Sequence, residues 1–396
     1  MMTAATIMYY TEYDFNISTM KVCFFNILVL AIILTGCSSK KQSVSNSLII
    51  DSFPRSFLCE EKEVLPITLL DPCEIIVSDS LIIFHLRHEK KLLKAYNRYN
   101  FSFIGEILTK GRGPKEISTI GLPGFCQWDV SEGNAKIFIR SYPYQWMWLD
   151  MNKSLDSNKT VFSRVYDFKV DIKKKERAQA AGAVFDLGGD SLLIAINPDD
   201  YGVTVKNLSQ LKYVNLELTR DPNPYFVFYN YCTGISSDSI VQQNFIRTEN
   251  FSPLIYSGYT RISADHKYLA KVYNYMNMID FYDVKTKNKK TVMFSPDAND
   301  YLKVIQKPIT YFNNSSSTED YLYVLTNTDR GRGNATGSIL YMFKWDGTLV
   351  CEIKFKERFP YFFVDQKAGE LFTIIPNNDD RSSVVKYKIG KYYQNI

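Results

Sequence analysis

A polar turn leads directly into an apolar strand in the stretch Ser263–Ala270, which reads SADHKYLA. A second apolar strand and a second polar turn follow in Ile279–Thr286, which reads IDFYDVKT. Short apolar segments separated by turns rich in Asp, Ser, Asn and Gly are typical of β-strands joined by tight connections. The stretch therefore predicts an all-β fold.

The same pattern of strands and turns recurs along the chain at intervals of roughly 50 to 60 residues, which is the size of one propeller blade. Six groups can be distinguished: Glu74–Leu108, Lys136–Val170, Ala183–Leu218, Thr260–Phe294, Tyr321–Phe355 and Phe362–Ile389. They predict a six-bladed β-propeller, with seven blades as the alternative. Because the ring must close, we expect a strand at Glu63–Leu70 to complete the C-terminal blade. Lys173–Ala181, KKKERAQAA, predicts either a short helix or a solvated loop.

Two motifs resemble those of a known propeller family. Ser263–Ala270 resembles the S-P-D-G-K-x-L-A turn of TolB-type blades, with Ala264 in place of Pro and His266 in place of Gly. Gly111–Glu116, GRGPKE, resembles the first blade boundary of the TolB-like six-bladed propeller lipoproteins common in gut Bacteroidetes. The resemblance implies a single propeller over residues 51–396, and it implies little about biochemical activity.

The N-terminal region has the features of a secretory signal. Lys21 precedes an apolar run, Val22–Leu34, that is short for a spanning helix of roughly 20 residues. The run ends in Leu34–Cys37, LTGC, which resembles a bacterial lipobox. We therefore expect residues 1–36 to be removed, with Met20 as the true initiator, and Cys37 to carry the lipid. A longer signal start and an uncleaved membrane anchor are the alternatives.

Residues 37–50 begin with a polar run that cannot build a core, so we expect a flexible tether between lipid and propeller. Several acyl chains anchor a protein stably at a membrane surface. Ser38 and Ser39 carry no acidic surface-export signal, and Lys40 and Lys41 are basic. The sequence therefore predicts an outer-membrane lipoprotein that faces the periplasm.

Charge and cysteine content exclude some classes of protein. The 396-residue chain has a modest, scattered formal charge of +5. A nucleic-acid-binding protein would show basic residues clustered on one face, so we expect no nucleic-acid partner. Apart from Cys23 in the signal and Cys37, five cysteines lack CxxC spacing and a regular disulfide framework, and we expect mostly buried free thiols. They are Cys59, Cys73, Cys126, Cys232 and Cys351.

The sequence contains no motif typical of catalysis or metal binding. It has no HExxH, no G-x-S-x-G nucleophile elbow and no regular calcium loop. His85 and His88 are three residues apart, so on a strand they would point to opposite faces rather than chelate one ion together. Gly111–Glu116 lacks the spacing of a phosphate-binding loop and is interpreted as a structural turn. We predict no metal, no cofactor and no catalytic residue.

Aromatic residues form 15% of the chain and cluster in Tyr142–Trp148 and Tyr225–Tyr231. Packing between blades is the favoured interpretation of these clusters, and exposed Trp146 and Trp148, which would suit stacking on a sugar or anchoring of a protein, are the alternative. Arg332, in a glycine-rich polar loop, is a further candidate contact. The sequence predicts a binding or scaffolding module for an envelope protein, peptide or glycan. A metal-dependent hydrolase or lactonase-like enzyme is the alternative, and it requires polar side chains that converge in the channel.

Overall fold

The three-dimensional description rests on a computed structural model of the chain. The residues that it describes are 47–113, 115–130, 133–141, 145–168, 181–196, 219–247, 256–298, 300, 304, 308–327, 336–377 and 381–393. Strands dominate these ranges, as the sequence predicts.

The chain starts with three strands that join later blades, and then forms blades 1 to 3 in order. The first three strands are β1 (Ser47–Ile49), β2 (Ser56–Cys59) and β3 (Lys62–Leu70). Blade 1 contains β4 (Pro72–Val77), β5 (Leu81–Leu86), β6 (Lys91–Asn97) and β7 (Phe103–Thr109). Blade 2 contains β8 (Ile120–Asp129), β9 (Lys136–Ser141), β10 (Gln145–Asp150) and β11 (Phe162–Asp167). Blade 3 contains β12 (Ala181–Asp186), β13 (Ser191–Ile196), β14 (Thr219–Asn230) and β15 (Ile235–Arg247).

Blades 4 to 6 complete the propeller, so the prediction of six blades is confirmed. Blade 4 contains β16 (Gly258–Ile262), β17 (Tyr268–Tyr273), β18 (Met278–Asp283) and β19 (Lys289–Met293). Blade 5 contains β20 (Asn314–Ser317), β21 (Tyr321–Asn327), β22 (Ser338–Lys344) and β23 (Leu349–Phe355). Blade 6 contains β24 (Tyr361–Asp365), β25 (Glu370–Pro376) and β26 (Arg381–Lys388).

The N-terminal strands close the ring and cover sheet edges. β3 pairs antiparallel with β26, with Leu69 opposite Ser382, so the strand expected at Glu63–Leu70 does complete the last blade. β1 runs parallel to β19 and β2 runs parallel to β23, each as a fifth strand. These pairings occupy backbone groups that an open edge would leave exposed to other chains.

The first strand of each blade lies nearest the axis. There β24 contacts β4 and β20, β8 contacts β12 and β16, and β16 contacts β20. The predicted groups omitted two of these strands, β8 and β20. β20 reads Asn-Ser-Ser-Ser and β8 contains Gly121, Pro123 and Gly124, so neither has an apolar alternation to signal it. In blade 3, the strand expected at Leu211–Leu218 lies outside the described residues, and β14 and β15 follow instead.

Large aromatic side chains fill the space between blades. Between blades 2 and 3, Trp146 is fully buried and its ring lies nearly perpendicular to that of Phe168, at a centroid distance of 5.3 Å. Phe138 and Tyr166 meet in the same way at 6.0 Å. Such pairs contribute about 0.5–1.5 kcal/mol beyond the area that they bury. Both pairs lie within blade 2, and the same rings form one buried cluster with Val184, Leu192, Ile194 and Tyr229 of blade 3, so they also pack the two blades together.

A short α-helix, α1 (Met151–Ser157), follows β10 and packs against β7 and β9. The Asp150 side chain caps its first turn by accepting the Lys153 amide at 3.0 Å, and Asn158 ends it in a left-handed conformation. The helix or loop expected at Lys173–Ala181 lies almost entirely outside the described residues. In the described part of the chain, no helix is both long enough and apolar enough to cross a membrane.

The described cysteines largely follow the expectation of buried free thiols. Cys59, Cys73 and Cys351 are buried thiols outside any disulfide, and Cys232 is exposed. Burial raises the pKa of the Cys73 and Cys351 thiols to about 12, so both are unreactive near neutral pH. The Cys126 side chain is outside the description.

The Gly111–Glu116 stretch forms a turn that its own residues close. The Glu116 carboxylate accepts the Gly113 amide at 2.8 Å, and the Gly111 amide donates to the Ile117 carbonyl at 2.9 Å. A Cβ atom at residue 111 would meet the Glu116 carboxylate in its present position, so a larger residue there would displace that side chain from the turn. These contacts support the interpretation as a structural turn.

Candidate functional site

The turns after the innermost strands surround an axial pocket of about 720 Å³. All six blades contribute to its wall, and one residue from each, in blade order, is Asp79, Trp128, Asp186, His266, Glu319 and Asp365. Its volume lies within the range of roughly 300–1,000 Å³ that is usual for small-ligand sites. The fold thus brings loops that are far apart in sequence to one opening.

Two aromatic rings form the floor of the axial pocket. The ring centroids of Trp128 and Phe363 are 5.6 Å apart, and both residues also line a deeper cavity of about 30 Å³. On the deeper side, the Arg261 guanidinium carbon lies 5.9 Å from the Trp128 ring centroid. Arg261 also donates two hydrogen bonds, of 3.0 and 2.7 Å, to the Ser315 carbonyl. Side chains therefore narrow the channel below the pocket.

Gln127 joins blades 2, 3 and 4 at the pocket wall. Its Oε1 accepts the Asp186 backbone amide at 2.9 Å, and its Nε2 donates to the Asp186 carbonyl at 3.1 Å. These two bonds fix the orientation of the side-chain amide. Nε2 then lies 3.0 Å from His266 Nε2, so His266 accepts through this nitrogen and is the neutral tautomer with its proton on Nδ1.

Asp186 is 7% exposed, and its carboxylate is held by blade 2. Its Oδ2 accepts the Trp148 indole N–H at 2.7 Å and the Tyr166 hydroxyl at 2.8 Å, and its Oδ1 accepts the Gly188 amide at 2.9 Å. Burial, together with the Asp186 carboxylate, raises the pKa of Tyr166 well above its ordinary value. The bonds fix the Trp148 ring where it lines the axial pocket.

His266 has a φ of 58°, in the left-handed region where the related blade motif has glycine. Its turn is held by Ser263 and Asp265: the Ser263 hydroxyl donates to Asp265 at 2.7 Å and accepts the Tyr268 amide at 3.0 Å. Partial burial lowers the pKa of His266, although Asp186 and Asp265 oppose that shift. A strained non-glycine residue whose side chain faces a pocket is a candidate functional residue.

Carboxylates are concentrated at this opening although the chain has a formal charge of +5. Among the lining residues, Lys367 carries an ammonium group. Six others carry a carboxylate, namely Asp79, Asp129, Asp186, Glu319, Asp320 and Asp365. Several are already held: Asp365 pairs with Arg98 at 2.6 Å, and Asp320 accepts the Gln366 amide at 2.5 Å. Like charges in a concave site focus the field, so the opening favours cations.

The predicted contact residues separate in the structure. Trp148 lines the axial pocket, whereas Trp146 is 0% exposed and packs against Phe168, so Trp146 is not a contact residue and the favoured packing interpretation holds for it. Arg332 and Cys37 lie outside the described residues. Gln127, Asp186 and His266 were missed. The replacement of glycine by His266 in the blade motif was the sequence signal that could have identified one of them.

The described residues contain no group of three or more His, Cys, Asp or Glu side chains that could hold a metal ion. The carboxylates line the rim of the axial pocket, and Trp128 and Phe363 lie between them and the deeper channel. His85 and His88 are also apart: His85 is buried, and His88 is exposed beside Asp71 at 3.1 Å. Polar side chains do converge on the axial pocket, but the metal centre that the hydrolase alternative requires is not seen among the described residues.

A buried cluster in blade 1 resembles a nucleophile and its base but is enclosed. Cys73 Sγ lies 3.0 Å from His85 Nδ1, which lies 3.3 Å from the Glu74 carboxylate. Cys73 and His85 are 1% and 2% exposed, and burial holds the Cys73 thiol in its protonated form. A substrate has no access to this sulfur, and the cluster satisfies buried polar groups instead.

Comparison with known proteins finds only remote structural matches. No family model and no curated protein matches the sequence. A candidate exported protein of Bacteroides fragilis is 12% identical with a TM-score of 0.43, and the match covers 84% of this chain and 98% of that one. The RRP9 WD40 repeats are 10% identical with a TM-score of 0.42, covering 83% and 97%.

The extracellular domain of a candidate one-component system from B. thetaiotaomicron is a further similar structure. It is 10% identical with a TM-score of 0.39, and the match covers 79% of this chain and 33% of that one. Identities this low carry no information about ligands or activity.

Proposed function

We propose that this chain is a cell-envelope lipoprotein whose propeller is a binding module, with the axial pocket as its ligand site. The observation that carries the proposal is the convergence of all six blades on one pocket of about 720 Å³. Its wall combines a fixed indole, Trp148, with the polar group of Gln127, Asp186 and His266. A few oriented polar groups beside aromatic surface are what ligand sites of globular proteins offer.

The location is proposed from the N-terminal sequence. Leu34–Cys37 matches a lipobox, so Cys37 would be acylated and would tether the propeller to the periplasmic face of the outer membrane. Ser263–Ala270 and Gly111–Glu116 support membership of the TolB-like propeller lipoproteins. A Cys37→Ser variant is expected to lose acyl labelling and to leave the membrane fraction. Continued labelling of that variant would contradict the proposal.

The ligand site is tested by filling the axial pocket. Ala264 is exposed on its wall, so Ala264→Trp adds bulk there without disturbing the core. The matched control is Ser236→Trp, on the exposed outer strand β15. Full-length chains are cross-linked in intact cells, and bound proteins and glycans are identified by mass spectrometry.

We expect the unmodified chain and Ser236→Trp to recover the same envelope protein, peptide or glycan, and Ala264→Trp to lose it. Trp148→Ala should weaken recovery, because it removes an aromatic wall of the pocket. Identical recovery by the unmodified chain and by both tryptophan variants would show that the ligand binds elsewhere.

A further inference from the structure

A second cavity continues from the axial pocket toward the rim between blades 6 and 1. This radial groove has a volume of about 520 Å³. It shares Asp79, Asp365 and Lys367 with the axial pocket, so the two cavities are contiguous. Tyr99, which is 75% exposed, stands in its wall toward blade 1. The combined site is longer than a compact small ligand requires.

The two cavities differ in charge. Among the groove residues, Arg98 bonds Asp365 at 2.6 Å and Glu370 at 2.9 Å, and also donates to the Ser78 carbonyl at 3.0 Å. Lys386 pairs with Glu63 at 2.9 Å and with Glu370 at 3.4 Å. These pairs largely neutralise the groove, whereas carboxylates dominate the axial pocket.

The axial pocket suits one organic cation in particular. Its carboxylates favour positive charge, and the rings of Trp128, Trp148 and Phe363 line the same cavity. An ammonium or guanidinium group gains both from the carboxylate field and from contact with aromatic faces. Trp128 already has one guanidinium, that of Arg261, near its ring on the deeper side.

From these observations we infer that the site binds a peptide segment that inserts one lysine or arginine side chain into the axial pocket and lays its neutral main chain along the radial groove. The inference rests on the proposed function and narrows its ligand class. A polyamine fits less well, because its further charges would meet the neutralised groove. The balanced groove offers hydrogen-bond donors and acceptors of the kind that peptide groups use.

Binding of defined probes to the full-length chain in detergent tests the inference by calorimetry, at about pH 7.5, where a histidine is mostly neutral. The probes are Ac-Gly-Gly-Lys-Gly-Gly-amide, the same peptide with Nε-acetyl-lysine, butylammonium and spermidine. We expect the lysine peptide to bind at least about 10-fold more tightly than each of the others, and more weakly as salt rises.

Variants of exposed residues locate the two parts of the interaction. Asp79→Asn, Glu319→Gln and Asp320→Asn together should weaken lysine-peptide binding by about 10-fold or more, because three exposed carboxylates leave the pocket. The matched control neutralises Glu106, Asp156 and Asp238, which are exposed and do not line the pocket, and should change affinity less than about 2-fold. Tyr99→Ala should weaken the peptide but not butylammonium.

The outcomes separate this inference from the proposed function. Equal binding of the lysine and acetyl-lysine peptides, blocked by Ala264→Trp, would overturn recognition of a cation and leave the pocket as a ligand site. Tighter binding of spermidine or butylammonium than of the peptide would overturn the peptide. Binding by none of the probes would also overturn the inference, while the cross-linking result would still decide the proposed function.

Discussion

Two buried carboxylates, Asp186 and Asp280, accept similar hydrogen bonds in different parts of the molecule. Asp280 is fully buried inside blade 4, where it accepts hydroxyls from Tyr273 at 2.8 Å, Tyr282 at 3.3 Å and Thr291 at 2.5 Å. Asp186 accepts Trp148 and Tyr166 from the neighbouring blade and also lines the axial pocket.

The two carboxylates differ in the elements that they connect and in their access to solvent. All the donors to Asp280 come from β17, β18 and β19 of one sheet, so the carboxylate joins strands of a single blade. Asp186 connects blade 3 to blade 2, and water or a ligand can enter beside it. A buried carboxylate thus joins strands of one blade in one place, whereas in the other it orients the Trp148 ring at the wall of the axial pocket.

The largest effect is expected from Asp280→Ala. The change leaves three buried hydroxyls without their acceptor, and also removes the ion partner 3.6 Å from Lys289. Removing one member of a buried charged network costs about 3–5 kcal/mol of unfolding free energy. Urea denaturation of the full-length chain measures the loss. Asp280→Asn, which keeps the shape and one acceptor, should cost less, and a loss below about 1 kcal/mol in the alanine variant would contradict this role.

Alkaline pH should give the next largest effect. Burial, assisted by the Asp280 carboxylate, raises the pKa of Tyr273 and Tyr282 well above the ordinary value of 10.0. The folded chain keeps these protons where the unfolded chain releases them, so their contribution is complete below pH 10 and is lost as pH rises above it. Two such groups decrease stability by about 2–3 kcal/mol per pH unit in that window.

Removing the two phenol hydroxyls tests whether they cause the alkaline loss of stability. Tyr273→Phe with Tyr282→Phe should flatten the decline in stability between about pH 10 and 11, measured by denaturant titration at each pH. The double variant is less stable at neutral pH, since Asp280 loses two donors. An unchanged slope would show that other groups cause the alkaline loss.

Much of the fold follows from local pattern, and the missed parts have physical causes. Turn residues such as Ser263 and Asp265 bond their own backbone, so they predict a turn and the strand after it wherever the fold places them. The closing strand at Glu63–Leu70 followed from the need to protect edges. Innermost strand β20 could not be predicted in this way, because its Ser side chains are polar and its partner β21 supplies the pattern.

The candidate site was much less predictable than the fold. Trp148 was a candidate, but Trp146, two residues away on the same strand, was indistinguishable from it in sequence and is buried. Gln127 lies 59 positions from Asp186 and 139 from His266, and the ring closure of the blades brings them together. No local spacing encodes such a contact.

A smaller effect on stability, with a larger effect on binding, is expected from Asp186→Ala. The Trp148 indole and the Tyr166 hydroxyl lose their acceptor. Trp148 lines the pocket, so water can replace the carboxylate at the indole, whereas Tyr166 is buried and its hydroxyl is left without that acceptor. We expect a loss of about 1–2 kcal/mol of unfolding free energy. Affinity for the lysine peptide should fall by about 10-fold, since a wall charge is lost and the Trp148 ring is freed. Equal losses of stability in the Asp186 and Asp280 alanine variants would remove the distinction between the two carboxylates.

The smallest effect on stability is expected from the titration of His266 in acid. Its pKa is lowered from the ordinary value of 6.5, chiefly by burial. Asp186 and Asp265 face it and oppose the shift, and Lys267 on the same turn is paired with Asp265 at 2.8 Å. The unfolded chain therefore takes up a proton first, so the contribution of His266 is present above pH 6.5 and is lost as pH falls through its folded pKa.

His266 is partly exposed. We therefore expect its titration to lower the free energy of unfolding by no more than about 1 kcal/mol between pH 7 and 5. Protonation also ends its role as acceptor for Gln127 and adds a positive charge beside the carboxylates of the axial pocket. Peptide affinity should therefore fall on acidification by more than stability does.

His266→Asn tolerates the left-handed backbone and does not titrate, so it should remove most of this pH dependence in both denaturation and calorimetry. If the acid decline in affinity is the same in His266→Asn, pocket carboxylates rather than the histidine control it.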